Sequence, residues 1–251
     1  MGDSVRNSIG VRDTASGTDT VGSSRHPTGL DVADVESDEL RAVDGRVPGR
    51  RGLATRTRLL EQTKELVRTT SYRDLKVVDI ARGAGTSPAT FYQYFPDAES
   101  ALLALADELV GEGRERLTRP VREGTWSGRD AYETCERIAS SFLEFWDEHR
   151  SLLAVIDLAA TGGDVRFREI RLQLLTNFTD ALVEQVSAQR DAGRLPEDLD
   201  PTATASVLVA MLAQVSGHRY GIERYGTDAA EIRRSLARAL YSGVTGRKPP
   251  R

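Results

Sequence analysis

Two short helical segments joined by a glycine turn constrain this chain more than any other part of its sequence. The first segment runs from about residue 77 to 84, with apolar residues at helical spacing. Gly85 then breaks the pattern, and Ser87-Pro88 supplies a helix N-cap followed by a first-turn proline. A second short helix is predicted over Ala89–Tyr94. Helix, glycine turn and helix together form the architecture of a helix-turn-helix.

The second of these helices has two contrasting faces. Phe91 and Phe95 lie four residues apart on one face, which predicts that they pack onto the two preceding helices. The opposite face is small or polar, with Tyr94 at its edge, and consists of Ala89, Thr90, Tyr92 and Gln93. Small side chains permit close approach to a major groove, an amide can bond adenine, and hydroxyls reach phosphates. The alternative is an ordinary surface helix with two buried phenylalanines.

The charge is unevenly divided along the chain, whose net charge is -4. Residues 50–96 carry 9 Lys and Arg against 4 Asp and Glu, a net +5. Residues 1–49 have a net -4 and residues 97–251 a net -5. The basic block coincides with the helix-turn-helix, which indicates a phosphate-facing module attached to a body without that property.

The rest of the sequence predicts an all-α fold. Residues 1–50, rich in Gly, Ser, Thr and Asp, are predicted to be a disordered acidic tail. A helix-turn-helix domain follows over 51–97, its first helix starting at Thr55 with a stripe of Leu59, Leu60, Thr63, Leu66 and Val67. A helical domain covers 98–245 before a tail at 246–251. Its helices are predicted near 98–117, 129–148, 151–161, 164–190, 201–221 and 228–243.

Several classes of protein are disfavoured. No apolar stretch approaches the roughly 20 residues that cross a bilayer, and the N-terminus lacks the apolar core of a signal peptide. Cys135 is the only cysteine, so an intrachain disulfide is excluded and a cytoplasmic location is expected. His149 and His218 have no neighbouring ligand at metal spacing, and no nucleophile motif or phosphate-binding loop occurs. We therefore expect no enzyme activity, no metal and no cofactor.

The run Val77–Phe95 resembles the DNA-binding segment of the TetR family of bacterial transcriptional regulators. The matching features are Ile80-Ala81 after a hydrophobic residue, Ala84-Gly85-x-Ser87, and an aromatic-rich end, Tyr92-x-x-Phe95. The resemblance extends over roughly Thr55–Val110, while the remainder matches in helical character and length. It implies an N-terminal three-helix DNA-binding domain and a C-terminal helical ligand-binding and dimerisation domain.

The resemblance also implies roles for individual residues. Thr90 and Tyr92 would contact phosphates, Ser87 would cap the helix, and three residues would face bases: Ala89, Gln93 and Tyr94. Lys76 departs from the family pattern, because it stands where a small hydroxyl often caps the second helix; it cannot cap but could reach a phosphate. Thr86 replaces the usual buried aliphatic residue, and Ala98 stands where a lysine commonly contacts the DNA backbone.

The C-terminal helices suggest a dimer and a ligand pocket. The segment 201–216 is uncharged around its circumference and is expected to be covered on both sides. Ile232, Leu236 and Leu240 recur at four-residue intervals in the last helix, and in the family these two helices pair with their symmetry mates. A central core helix is the alternative. Candidate pocket residues, which could equally be plain core, are Phe142, Phe145, Trp146, Phe167, Phe178 and Tyr220.

The sequence therefore predicts a ligand-responsive regulator. It would bind a palindromic double-stranded DNA operator as a homodimer and be released by a small apolar or amphipathic effector. The resemblance implies that it acts as a repressor, which is the commonest mode in the family. The effector would tilt the fourth helix, which links the pocket to the DNA-binding domain. The alternative is a helical small-molecule-binding or interaction protein that lacks specific DNA binding; neither reading involves a membrane.

Overall fold

The structure, a computed structural model, describes residues 49–250. This part of the chain contains ten α-helices and no strand, as predicted for an all-α protein. In chain order they are α1 (Arg50–Thr69), α2 (Val77–Gly83), α3 (Pro88–Tyr94), α4 (Ala98–Arg122), α5 (Asp130–Glu148), α6 (Arg150–Thr161), α7 (Val165–Asp191), α8 (Pro201–Gly217), α9 (Arg219–Glu223) and α10 (Ala229–Thr245). The tail predicted over 1–50 lies outside the described residues except for its last two.

Helices α1, α2 and α3 pack together as a small bundle. The predicted stripe on α1 is confirmed, because Leu59, Leu60, Thr63 and Val67 are buried and Leu66 is half-buried. Helix α1 begins at Arg50, so the prediction placed its start more than one turn too late. The first turn is largely exposed and carries no apolar period, which is the signal by which the sequence located the helix.

The long helix α4 joins this bundle to the body. It packs against α1 near its beginning and crosses α7 and α5 further along, so it links the bundle and the body through one continuous set of buried residues. In the body, α10 packs on α5, while α7 lies against α6 and α8. The division between domains at residues 97 and 98 stays a prediction, since α4 is shared by both.

Helix α4 continues through Pro120 to Arg122, whereas the sequence predicted an end near residue 117. The extension buries Val121 completely, and the indole Nε1 of Trp126 donates a hydrogen bond to the Val121 carbonyl at 3.0 Å. Burial and this bond to the final turn offset the missing N–H of the proline. The other long helices lie within a few residues of the predictions, but the segment 201–221 is divided into α8 and α9 at His218.

Helix α8 has a buried face and an exposed face in the single chain. Its buried face includes Ala205, Leu208 and Leu212, whereas Val207 on the other side is 68 % exposed. The exposed side is uncharged, as the sequence indicates, but the chain's own fold does not cover it. No helix within residues 49–250 combines the length and the apolar character needed to span a bilayer.

The regular apolar residues of α10 face the chain's own core. Ile232, Leu236 and Leu240 are 5 %, 3 % and 0 % exposed. In the single chain this stripe therefore packs into the core. Any pairing with a second chain must use the opposite side of α10, where Ser235, Arg238 and Ala239 are exposed.

The crossing of α4 and α7 generates a stability prediction at Gly113. A Cβ at this position would lie 2.5 Å from Leu174 Cδ1 and 3.2 Å from Phe145 Cζ. We expect Gly113→Ala to lower the free energy of unfolding by about 1–3 kcal/mol through overpacking. In the same helix, a Cβ at Gly111 meets nothing within 4 Å.

Gly111→Ala is therefore the matched control. It should raise the free energy of unfolding by about 0.4–1 kcal/mol, because alanine restricts the unfolded chain and favours a helix. Urea unfolding followed by far-UV circular dichroism measures both variants. Equal effects of the two substitutions would contradict the close approach of α7 to α4.

Candidate nucleic-acid interface and ligand cleft

Two phenylalanines anchor the third helix of the bundle. Phe91 is fully buried and Phe95 is 4 % exposed, as the spacing predicted. Their ring centroids lie 5.6 Å apart, and the Arg56 guanidinium stands 5.5 Å from the centre of the Phe95 ring. The anchoring fixes the rotation of α3 about its own axis and so decides which side chains face solvent.

The solvent face of α3 consists of small and polar groups. Ala89, Tyr92 and Gln93 are exposed, whereas Thr90 is half-buried and Tyr94 is half-buried against the core. Tyr92 stands edge-on to Phe91, with ring centroids 5.8 Å apart. This surface carries hydrogen-bonding groups without a charge, which suits contact with base edges and phosphates.

The predicted cap of α3 is present. The Ser87 side chain accepts a hydrogen bond from the Thr90 N–H at 3.2 Å, and the two hydroxyl oxygens lie 3.0 Å apart. Pro88 occupies the first turn, and Gly85 has a φ of 67°, in the left-handed region that favours glycine. These features hold α3 at a fixed angle to α2.

Lys76 immediately precedes α2 and makes no capping bond with its side chain. The lysine is exposed, and so is Arg73 in the preceding turn. A hydrogen bond with the Tyr72 hydroxyl raises the pKa of Arg73 above its ordinary value. The positive charges of Lys76 and Arg73 beside the helix-turn-helix therefore face solvent.

A large cleft lies in the body between α6, α7 and α8. Its volume is about 930 Å³, within the range of about 300–1,000 Å³ that small-molecule sites occupy. Apolar residues from the three helices and the end of α5 form most of its walls, among them Trp146, Leu153, Ile156, Leu174, Leu175 and Val209. Charged and polar groups also line it: Asp157, Arg168, Arg171, Asp180 and His218.

The sequence candidates for the pocket lie mostly behind this cleft. Trp146 lines it, but four phenylalanines do not, being fully buried in the core: Phe142, Phe145, Phe167 and Phe178. Phe142 stacks on Trp146 with centroids 5.3 Å apart and meets Phe178 edge-on at 4.8 Å. The rings therefore pack against one another and form the layer behind the cleft wall.

Tyr220 stands apart from the other candidates. It is 42 % exposed, donates a hydrogen bond to the Asp147 carboxylate, and does not line the cleft. The Arg150 guanidinium lies 3.7 Å from its ring centroid. Hydrogen bonds from Tyr220 and Arg150 lower the pKa of Asp147. Tyr220 is thus part of a surface clamp between α9 and the end of α5.

Sequence reasoning did not select the charged residues of the cleft. Arg171 and Asp157 form an ion pair at 2.9 Å, and both line the cavity. The available signal was weak: Arg168 and Arg171 each follow directly after a residue of the apolar stripe of α7, which itself continues without interruption. An arginine in a helix is ordinary, so only the fold identifies these positions.

Cys135 behaves as a buried apolar residue. It is fully buried, and burial raises the pKa of its thiol to about 12. The thiolate is therefore scarce at neutral pH, as expected for a structural cysteine rather than a redox sensor.

The three-helix bundle with its capped, anchored third helix defines a helix-turn-helix DNA-binding protein with a helical ligand-binding body. Two family models match the chain: "Bacterial regulatory proteins, tetR family" over residues 59–105, and "Tetracyclin repressor-like, C-terminal domain" over residues 117–251. The chain belongs to the TetR family and is a transcriptional regulator.

Curated relatives agree with this assignment. The HTH-type transcriptional regulator EthR of Mycolicibacterium smegmatis is 25 % identical over 197 residues, covering 78 % of this chain and 86 % of EthR. The fatty acid metabolism regulator protein of Bacillus subtilis is 21 % identical over 187 residues, covering 74 % of this chain and 93 % of the relative.

Solved structures share the fold. The fatty acid degradation regulator FadR from Bacillus halodurans superimposes with a TM-score of 0.61 at 18 % identity, covering 79 % of this chain and 98 % of FadR. FadR from Bacillus subtilis in complex with stearoyl-CoA gives a TM-score of 0.59 at 20 % identity, covering 75 % and 98 % of the two chains.

Proposed function

We propose that the protein is a dimeric repressor that binds a palindromic operator and is released by an amphipathic acyl ligand. The observation that carries the proposal is the orientation of α3, with Phe91 and Phe95 buried and Gln93 exposed. A helix anchored in this way can enter a major groove without losing its packing. The cleft in the body then provides the place for a ligand that controls release.

The contacts proposed for DNA divide into two kinds. Gln93 and Ala89 face the base edges, with Tyr94 at the margin of that surface, because an amide and a small side chain suit the groove floor. Lys76, Thr90 and Tyr92 contact phosphates, which set the register of the helix without reading sequence. Ser87 supports both kinds of contact by capping α3.

The dimer is proposed to form through the exposed side of α8 together with α10. On α8, Ala203, Val207, Ala210 and Gln214 share one exposed, uncharged stripe, of which Ala210 and Gln214 also lie at the edge of the cleft. Val207 is 68 % exposed in the single chain and lies in the middle of this stripe, so it is available for contact with a second chain. A two-fold axis beside this stripe would present two copies of α3 to successive turns of the major groove.

The effector is proposed to be an acyl chain with a polar, anionic headgroup. Apolar walls beside Arg168 and Arg171 favour a ligand with one apolar end and one negative end, which would compete with Asp157 for Arg171. Relatives bear names from fatty acid metabolism, and one structural neighbour was solved with stearoyl-CoA. An acyl-CoA thioester combines both parts and is the probe that we would test first.

The proposed DNA contacts predict two different defects. We expect Gln93→Ala to weaken binding to the operator by about 1–3 kcal/mol while leaving non-specific binding unchanged, because it removes a base contact. Lys76→Ala should weaken binding to all duplexes and lower the slope of log affinity against log salt by about two, because it removes one phosphate contact from each protomer of the dimer.

Fluorescence anisotropy with duplexes from the region upstream of the chain's own gene measures both effects over a salt series. Gln173→Ala, an exposed substitution on α7, serves as the control and should change neither quantity. If the unmodified chain binds none of these duplexes at low salt, the alternative of an interaction protein without specific DNA binding is favoured.

The proposed interface is tested by a charge at Val207. Val207→Asp places two carboxylates near the two-fold axis, so we expect the dimer to dissociate at least about tenfold more readily, corresponding to about 1.4 kcal/mol. Sedimentation equilibrium gives the dissociation constant. Leu158→Asp, at a position 52 % exposed on α6, is the matched control and should leave the mass unchanged. A Val207→Asp chain that remains dimeric would contradict this interface.

The proposed effector site is tested by filling the cleft. Ala213 lines the cleft and is half-buried, so Ala213→Trp should prevent an acyl-CoA from releasing the operator while operator affinity stays within about twofold of the unmodified chain. Ala154→Trp, on the exposed face of α6, is the control and should respond normally. Titration of the chain–DNA complex with lauroyl-CoA and stearoyl-CoA gives the response. An unchanged response in Ala213→Trp would exclude the cleft.

A further inference from the structure

Three potential metal ligands converge where α4 meets the junction of α5 and α6. Glu112 projects from α4, Glu148 ends α5, and His149 is the residue between α5 and α6. One ligand atom from each lies within 4.8 Å of the other two. The sequence did not indicate this arrangement, because 36 residues separate Glu112 from Glu148 and local spacing was the only available signal.

One pair of ligands in this Glu-Glu-His cluster already stands near the spacing of a coordination sphere. His149 Nε2 lies 3.1 Å from Glu112 Oε1. Two ligands bound to one tetrahedral Zn²⁺ at about 2.1 Å stand about 3.4 Å apart, so His149 and Glu112 need little movement, whereas the exposed Glu148 carboxylate, within 4.8 Å of both, closes in on the ion. The His149 side chain is 7 % exposed, which fixes the imidazole, whereas the carboxylates are 45 % and 53 % exposed.

Arg116 supplies positive charge to the cluster in the metal-free chain. Its Nη1 lies 3.2 Å from Glu112 Oε1 and 2.5 Å from Glu148 Oε2, and its Nη2 lies 2.7 Å from Glu148 Oε1. The hydrogen bond from Arg116 lowers the pKa of Glu148. Both carboxylates are thus already paired with a cation in the metal-free chain.

Arg116 has another partner within reach if a metal ion displaces it. Glu144 Oε2, one turn earlier on α5, lies 4.0 Å from Arg116 Nη2 and is exposed. A shift toward Glu144 would keep the guanidinium paired. A metal ion can therefore displace Arg116 without leaving its guanidinium unpaired between α4 and α5.

The cluster also has space for the remaining ligands of a metal ion. A cavity of about 340 Å³ is lined by Glu148 and His149, and another of about 310 Å³ by Glu112 and His149. Both cavities also reach Lys64 of α1. Water in either cavity can complete a four-coordinate shell, as at zinc sites with three protein ligands.

We propose that Glu112, Glu148 and His149 form a binding site for a divalent first-row transition metal ion, with Zn²⁺ as the first candidate. One imidazole nitrogen and two carboxylate oxygens form a donor set that such ions accept. Ligand binding by His149 requires the neutral ring with Nε2 unprotonated. The ion joins α4 to the α5–α6 junction, beside the first helix of the DNA-binding bundle, independently of the acyl site.

The test uses the full chain without an affinity tag, after removal of metal with a chelator. We expect isothermal titration with Zn²⁺ to show one site per chain, with a rise in the thermal midpoint on binding. His149→Asn and Glu112→Gln should each weaken this site at least about 100-fold. Arg116→Gln should tighten it about tenfold, because it removes a competing cation.

His218→Asn is the matched control and should leave the affinity for Zn²⁺ unchanged. Far-UV circular dichroism establishes that each variant is folded, and the absorption of bound Co²⁺ reports the ligand environment directly. Absence of saturable binding, equal binding by the His149→Asn and unmodified chains, or weaker binding after Arg116→Gln would overturn the proposal. None of these readouts uses DNA or an acyl ligand, so they are separate from the tests of repression.

Discussion

Helix α4 packs against both the DNA-binding bundle and the body, and the remaining architecture depends on this shared packing. Its first turns bury Ala101 and Leu102 near α1, and its middle crosses α7 at Gly113. A helix of 25 residues is about 38 Å long and resists bending, so its two ends move together. The body can therefore reorient the DNA-binding bundle only by changing how α4 is held. Both ligand sites proposed for this chain lie beside elements that hold it.

The sequence predicted the helix-turn-helix well because the determining interactions are local. The burial of Phe91 and Phe95 follows from a four-residue spacing, and the Ser87 cap from a three-residue one. Errors arose where tertiary packing outweighs local preference. Helix α4 passes Pro120 because Val121 is buried beyond it, and α1 starts at Arg50 in a turn without an apolar period. A proline or a polar turn indicates only where a helix tends to begin or end, whereas the burial of neighbouring side chains determines where it does.

The helices of the body could be predicted from the sequence, but the positions of its ligand sites could not. Aromatic residues at helical spacing indicated a pocket, yet Phe142 and Phe178 pack on each other and leave no room for a ligand. The cleft forms where such rings do not fill the space, between residues that extend from Trp146 to His218 along the chain. Likewise, Glu112 meets His149 only through the crossing of α4 with α5. Spacing along one helix cannot reveal sites built from three.

The position of Leu174 suggests how an occupied cleft would act on the DNA-binding bundle. Its side chain lines the cleft and also fills the space above Gly113, where a Cβ would lie 2.5 Å from Leu174 Cδ1. A ligand that displaces Leu174 must therefore change the approach of α7 to α4. Because closely packed helices shift as units, the displacement would pass along α4 to α1, on which α4 packs, and so to the DNA-binding bundle. The ligand controls release to the extent that it binds the shifted arrangement more tightly than the DNA-bound one.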